Sequence, residues 1–250
     1  MSTPPVVIHV PHASIRIQEP FLGSLILTPE EIEDELVTAT DAYCDELYEH
    51  GLGVMVAARW SRLACDVERF RDDAREPCAL KGNGLLYIST LRGKAIRRPD
   101  PALREQALAE IYDPHHRALT EAVDEALAGQ GRCLIIDGHS FGDDAFLGPN
   151  LPDYCIGTDP YHTPRHFYDT ARAYLEAQGY SVAENYPFAG AIVPMKHYAQ
   201  NKNVISVMIE VNRRLYLHKG TMEKSDGFDT ARTVCGALMR LFMEASDQHP

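Results

Sequence analysis

Two histidines and a glutamate stand where apolar runs end, and their types are those of a hydrolytic metal site. Val6-Val7-Ile8-His9-Val10 runs into Pro11-His12-Ala13-Ser14, and Cys133-Leu134-Ile135-Ile136 runs into Asp137-Gly138-His139-Ser140. Val204-Ile205-Ser206-Val207-Met208-Ile209 delivers Glu210, with Asn212 and Arg213 just after it. Zinc in a catalytic site takes two or three His, Asp or Glu ligands and keeps one position open. It lowers the pKa of a bound water to about 7, so hydroxide is available at neutral pH. His12 and His139 supply two ligands. Where a short H-x-x-E motif would put the third, the chain has Ile15. The remaining candidates are Asp41 and Asp137, although an aspartate two residues before a ligand more often orients it.

A carboxylate that closes an apolar run is costly to bury unless it is paired or does work. For Glu210 the work is that of a general base, which takes a proton from water and returns it to a leaving amine. The competing role is a salt bridge to Arg213, Arg62 or Arg69. Arg59, Arg62, Arg69 and Arg71 crowd one segment, and Arg213 and Arg214 another. Arg69 and Arg213 are candidates to grip a substrate carboxylate through bidentate contacts. Arg62 is the candidate to steady the oxyanion formed when a carbonyl is attacked. His115-His116 point in different directions on a predicted helix and make a poor metal site.

Gly138-His139-Ser140-Phe141-Gly142 also spells G-x-S-x-G, the elbow of serine hydrolases. That elbow needs a strand, a sharp turn and a helix, whereas Asp143, Asp144, Gly148, Pro149 and Pro152 follow here, a loop composition. A third reading is an α/β protein that binds a metal or ligand without turnover.

The elements that must position these residues are alternating strands and helices. Apolar runs at residues 6–10, 53–57, 63–67, 133–137, 180–183 and 204–209 read as strands. Thr28-Pro29-Glu30-Glu31 is a capping box with proline at the first helical position. The run it opens carries apolar residues at helical spacing to Gly51, with Asp41 near the edge of the apolar stripe. Further helices are predicted over 101–127, bent or broken at Asp113-Pro114, from Thr163-Pro164 to Gly179, and from Phe228 to Ala245. Residues 71–99 read as a long irregular excursion and 141–162 as loop. Strands alternating with helices predict an α/β fold, three layers α/β/α, with a mixed, mainly parallel sheet in one domain spanning residues 1–250.

Composition narrows the function. A net charge of −12 argues against a nucleic-acid partner, which needs a basic face. It leaves room for a small anionic substrate at a local arginine cluster. No apolar stretch approaches the roughly 18 residues of a membrane span. Met1-Ser2-Thr3-Pro4-Pro5 lacks the basic and apolar regions of a signal peptide, so the expected compartment is the cytoplasm. The six cysteines form no C-x-x-C pair, which makes a zinc ribbon or redox motif unexpected and buried thiols the better reading.

Nearly the whole chain resembles the N-formylglutamate amidohydrolases. The resemblance rests on Val10-Pro11-His12-Ala13-Ser14, Thr40-Asp41, Ser61-Arg62-Leu63 through Asp66-Val67-Glu68-Arg69, and Ile136-Asp137-Gly138-His139-Ser140-Phe141. It continues through Asn185-Tyr186-Pro187-Phe188, His197-Tyr198 and Ile209-Glu210-Val211-Asn212-Arg213. It implies a fold like the zinc carboxypeptidase and aspartoacylase group, with about eight strands. It also implies hydrolysis of N-formyl-L-glutamate to formate and glutamate, late in histidine degradation, with one Zn2+ ion. His12 and His139 match metal ligands, Asp41 matches an acidic position, Glu210 matches the catalytic carboxylate, and Arg69 matches the arginine of a D-x-N-R motif; His197-Tyr198 falls in a segment the family uses near the site, so His197 or Tyr198 is expected to help bind substrate or the oxyanion. Glu68 departs from that motif's asparagine. A carboxylate there would repel an anionic substrate unless it points away, so a less acidic N-acyl amino acid is an alternative substrate.

Overall fold

The computed structural model describes residues 5–142 and 147–246. Its sheet is built on three strands: β1 (Val6–Val10), β3 (Cys133–Phe141) and β6 (Val204–Asn212). Every residue of the three is buried, which is why they read as apolar runs without alternation. β1 pairs with β3 and β3 with β6, both parallel. The edges are β2 (Val54–Ala57), then β4 (Tyr154–Gly157) and β5 (Val182–Glu184), in the order β2-β1-β3-β6-β4-β5. β4 runs antiparallel to β6 and parallel to β5, so the sheet is mixed.

Among the described residues the sheet has six strands rather than about eight. Residues 63–67, predicted as a strand, are a turn. Ser61 Oγ accepts from the Leu63 N–H at 3.2 Å, and the Ser61 carbonyl accepts from Ala64 at 2.8 Å, which curls the chain. Leu63, Ala64, Cys65 and Val67 are all buried, and a short buried run looks apolar whether extended or turned. β4 was expected to be loop, because glycines and prolines on both sides mask a four-residue strand.

Helix α1 (Pro29–Ala39) starts at the predicted capping box, with both reciprocal bonds of Thr28 and Glu31 made. It does not continue to Gly51. The Asp41 N–H donates to the His12 carbonyl at 3.0 Å, and Tyr43 turns left-handed at φ 62° before the short helix α2 (Cys44–Leu47). Asp41 therefore lies buried in a break between helices rather than on the edge of a helical stripe. α3 (Pro101–Ala107) passes through a π-helical turn, Leu108–Tyr112, into α4 (Asp113–Gln130). Pro114 has no N–H to donate into the preceding turn, which accounts for the interruption at the predicted place. α5 (Arg165–Ala177) starts without a side-chain cap from Thr163. α6 (Phe228–Ser246) packs on α5, with Phe167 and Phe242 stacked at 5.3 Å.

The chain divides into two compact units. The first comprises Met1–Val10, Tyr43–Val56 and Leu119–Pro250 and contains the sheet core. In it Leu119, Val123 and Ala126 of α4 pack on Val7, Cys133, Ile135 and Val204, which identifies one face of the central strands. The second comprises Pro11–Ala42 and Ala57–Ala118 and has its own apolar cluster, including Phe21, Cys65, Leu85, Leu103 and Ile111. Arg97 is buried there. It donates to the carbonyls of Tyr87 (2.7 Å), Leu63 (2.8 Å) and Phe21 (3.4 Å) and to Ser24 Oγ (3.0 Å). Five cysteines are buried and all six are free thiols. No helix among the described residues is long and apolar enough to cross a membrane.

Candidate active site

Alternation along the strands decides which way the sheet's polar residues point. In β3, Cys133 and Ile135 face α4, so Asp137 and His139 share that face. In β1, His9 follows Val7, and in β6, Glu210 follows Val204 at even spacing. The register pairs His9 with Asp137 and His139 with Glu210. Four ionisable side chains thus project from one face near the carboxyl ends of three parallel strands, where open α/β sheets bind ligands.

Asp137 organises this group. Its Oδ1 lies 2.7 Å from His9 Nδ1 and 3.1 Å from His139 Nε2, and its Oδ2 accepts from the Ile192 N–H at 2.9 Å. An ionised carboxylate only accepts, so both imidazole nitrogens carry their hydrogens toward it. Burial pushes the Asp137 carboxyl up, but His139 and His9 outweigh it and hold the group well below the usual range. On the opposite face, the Tyr48 hydroxyl donates between the carbonyls of Ile209 (2.8 Å) and His139 (3.0 Å). Burial raises that phenol well above its ordinary value, so it stays a donor. The Tyr48 ring lies where a side chain on residue 138 would be: a Cβ there would meet it at 2.5 Å. That contact accounts for the glycine between Asp137 and His139.

In the second unit the centre is Asp66, fully buried. Its Oδ1 lies 2.9 Å from His12 Nε2 and accepts from the Glu68 N–H at 3.0 Å. Its Oδ2 accepts from Arg62 Nη2 (2.8 Å), Arg62 Nε (3.0 Å) and the Tyr87 hydroxyl (2.8 Å). Arg69 Nε stands 3.5 Å from the same oxygen. Burial opposes the charge, yet Arg62, then Arg69 and His12, hold the Asp66 carboxyl well below the ordinary range. Burial pushes the Tyr87 phenol up to about 12. With Nε2 given to Asp66, His12 turns Nδ1 toward Asp41 Oδ2 at 3.6 Å and Glu68 Oε2 at 3.7 Å.

The remaining predicted residues fall as follows. Arg62 and Arg69 meet at Asp66, and Arg69 also donates to the Asn83 carbonyl (3.2 Å) and to Tyr87 (3.3 Å). Arg213 donates to Ser140 Oγ and to the Ser140 carbonyl, each at 3.2 Å. His197 is buried against Asp124 Oδ1 at 2.9 Å, beside Lys196 at 2.7 Å from Oδ2. His116 donates to the Val67 carbonyl at 2.7 Å instead of pairing with His115 as ligands. Ser140 is paired with Val211 inside β3, so it is not at the apex of a strand-to-helix turn and the serine-hydrolase elbow is not formed. Asp143 and Asp144, part of that reading, lie outside the described residues.

Sequence reasoning gave Asp66 and Tyr87 no role and passed over His9 and Tyr48. A histidine or aspartate inside a run predicted to be buried was the available signal for His9 and Asp66. For Tyr48 and Tyr87 no local signal existed.

Donors suited to a metal ion occur in each unit around a histidine fixed by a buried aspartate: His12 with Asp41 and Glu68 in the second unit, and His139 beside Asp137 in the first. In each histidine Nε2 is turned to the aspartate, the arrangement that orients a metal-ligating imidazole. Both Asp137 oxygens already accept hydrogen bonds, which suits an orienting role better than ligation.

Three comparisons bear on this arrangement. A family model described as FGase, N-formylglutamate amidohydrolase, matches residues 4–217. The N-formylglutamate deformylase of Pseudomonas aeruginosa is 29% identical over 230 residues, which cover 85% of this chain and 82% of that protein. The crystal structure of an N-formylglutamate amidohydrolase from Ralstonia eutropha JMP134 aligns over 100% of this chain and 96% of its own, with TM-score 0.85 and 24% identity. An Agrobacterium tumefaciens gene product aligns over 97% and 92%, with TM-score 0.72 and 19% identity. The two structural likenesses share the fold.

Proposed function

The chain belongs to the N-formylglutamate amidohydrolase family, and on that footing we propose that it hydrolyses the amide of N-formyl-L-glutamate, or of a closely related N-acyl amino acid. The products are formate, or the corresponding acid, and the free amino acid. On this reading residues 1–250 act as one catalytic domain, in the cytoplasm, at a late step of histidine degradation.

The observation that carries the proposal is the register pair His139–Glu210, which sets a candidate metal ligand beside a candidate base on one strand face. His12, Asp41 and His139 would hold the zinc ion, which when bound would supply Lewis acidity and lower the pKa of water toward neutrality. Asp66 and Asp137 keep the two imidazoles in the tautomer and orientation that ligation needs. Asp137 acts as orienter, not as third ligand, because both its oxygens are occupied.

Glu210 takes a proton from the attacking water onto a carboxylate oxygen. The new C–O bond forms at the acyl carbon, and Arg62 steadies the negative charge that develops on the carbonyl oxygen. Glu210 then delivers the proton to the amide nitrogen as the C–N bond breaks. Arg69, Arg213 and His197 bind the substrate's polar groups.

The test is formate release from N-formyl-L-glutamate by zinc-loaded protein, with and without chelator. Chelator-sensitive turnover is the expected result. Turnover that survives complete metal removal would overturn the metal assignment, and none on any N-acyl amino acid would overturn the reaction class.

A further inference from the structure

The segment Asp66-Val67-Glu68-Arg69 is gripped along its backbone. The Glu68 N–H donates to Asp66 Oδ1 at 3.0 Å. The carbonyl before it, of Val67, accepts from His116 Nε2 at 2.7 Å, and the carbonyl after it, of Arg69, accepts from the Tyr112 hydroxyl at 2.9 Å. Tyr112 closes the π-helical turn Leu108–Tyr112, and His116 stands one turn later, their rings 4.1 Å apart. Widened turns of this kind recur where a helix must aim side chains at a functional segment. Glu68 is thus tied on both sides, and its carboxylate is held 3.7 Å from His12 Nδ1.

Among the described residues, Asp41, Asp66 and Glu68 each bring a carboxylate oxygen within 3.7 Å of a His12 ring nitrogen. Two guanidiniums, of Arg62 and Arg69, are nearby; both pair with Asp66, and Arg69 also interacts with the Glu68 charge. The side chains of Asp66 and Asp41 are 0% and 4% exposed, whereas that of Glu68 is 20% exposed. Glu68 is therefore the carboxylate of this group that a molecule arriving from solvent meets at His12.

We propose that Glu68 is a specificity-determining residue that selects against a second carboxylate on the substrate and favours an N-acyl amino acid bearing an uncharged amide there. This rests on the reading of the site as an N-acyl amino acid hydrolase. A carboxylate brought next to Glu68 meets a like charge in a partly desolvated place, where repulsion is screened less than in water. An amide offers N–H donors to the same oxygens. The backbone bonds fix the point from which the Glu68 side chain starts.

The experiment compares kcat/KM for N-formyl-L-glutamate and N-formyl-L-glutamine in the metal-loaded wild type, Glu68→Gln, Glu68→Asn and Glu68→Asp, with Tm recorded for each. The wild type should prefer N-formyl-L-glutamine. Both neutral variants should shift the ratio toward N-formyl-L-glutamate by tenfold or more, and Glu68→Asp should not. A ratio that stays within twofold in the neutral variants, or an equal loss on both substrates, overturns the proposal. Binding of L-glutamate and L-glutamine to the same proteins by calorimetry separates the two readings if the wild type turns over neither substrate. The tenfold shift in binding would then uphold Glu68 while the reaction class fails, and no discrimination would overturn both.

Discussion

His139 and Glu210 are register partners on adjacent parallel strands, and both project from the face that packs α4 further along. A residue of β3 and a residue of β6, 71 positions apart, are thereby aligned without any loop between them. Sites built on strands are held more tightly than sites built on loops.

If Glu210 moves the proton, Glu210→Gln should lower kcat by about 10²–10⁴-fold, the usual worth of a general base. KM and bound metal should change little. Steady-state kinetics beside elemental analysis checks this, and retention of most activity with metal bound would refute the assignment.

Ligands and orienters should behave differently toward metal. His12→Ala and Asp41→Ala should abolish stoichiometric zinc. Asp137→Asn and Asp66→Asn should leave a site weakened by about 10–100-fold, as expected when an orienting partner is lost. Zinc titration by competition with a chromophoric chelator measures both classes. Equal loss in all four would remove the distinction.

Gly138→Ala should be strongly destabilising, because its Cβ would meet the buried Tyr48 ring at 2.5 Å. Overpacking of this kind costs about 1–3 kcal/mol or more. Tyr48→Phe leaves the shape and removes a donor from two strand carbonyls, for a loss of about 1–3 kcal/mol. Urea unfolding of each variant gives the values. A neutral Gly138→Ala would show that the ring moves aside.

Acid should unfold the protein through its buried carboxylates. Asp66 and Asp137 are held below their ordinary values in the folded state. Groups depressed on folding contribute stability that is complete above the unfolded carboxyl pKa of about 3.9 and lost as pH falls below it. Stability measured by urea midpoint should be flat from about pH 5 to 7 and then fall steeply. Asp66→Asn should be less stable at pH 7, by about 3–5 kcal/mol, since it leaves Arg62 buried without its counter-charge. Its acid loss should be shallower than that of the parent.

Arg97 should be a stability residue of the second unit. It is buried, its guanidinium is lowered to about 10 by burial, and among the described residues no carboxylate pairs with it. Arg97→Met strands the carbonyls of Tyr87 and Leu63, at a cost of about 1–3 kcal/mol for each unsatisfied group. Limited proteolysis should then open the segment around residues 85–97 first. Resistance equal to the wild type would refute it.

The sequence by itself determined the strand-end residues. A run of β-branched and apolar residues is buried on both faces, and an ionisable residue in or just beyond its last positions must be near a surface, a partner or a ligand. The positions of His12, His139 and Glu210 in or just beyond β1, β3 and β6 were legible for that reason, as were the capping box at Thr28 and the interruption near Pro114. Six strands instead of about eight, and the turn at residues 63–67, were not legible, because a buried apolar segment has the same composition in either shape. The sequence places Asp41 near the edge of a long helix's apolar stripe, whereas the bond from its N–H to the His12 carbonyl takes it out of that helix into a buried break. The tertiary structure alone made Asp66 and Asp137 the groups that orient His12 and His139, and gave Arg62 its partner. His12 is 54 positions from Asp66, and His9 is 128 from Asp137. Hydrogen bonds across such separations leave no periodic trace along the chain, because packing, not local propensity, brings the two ends together.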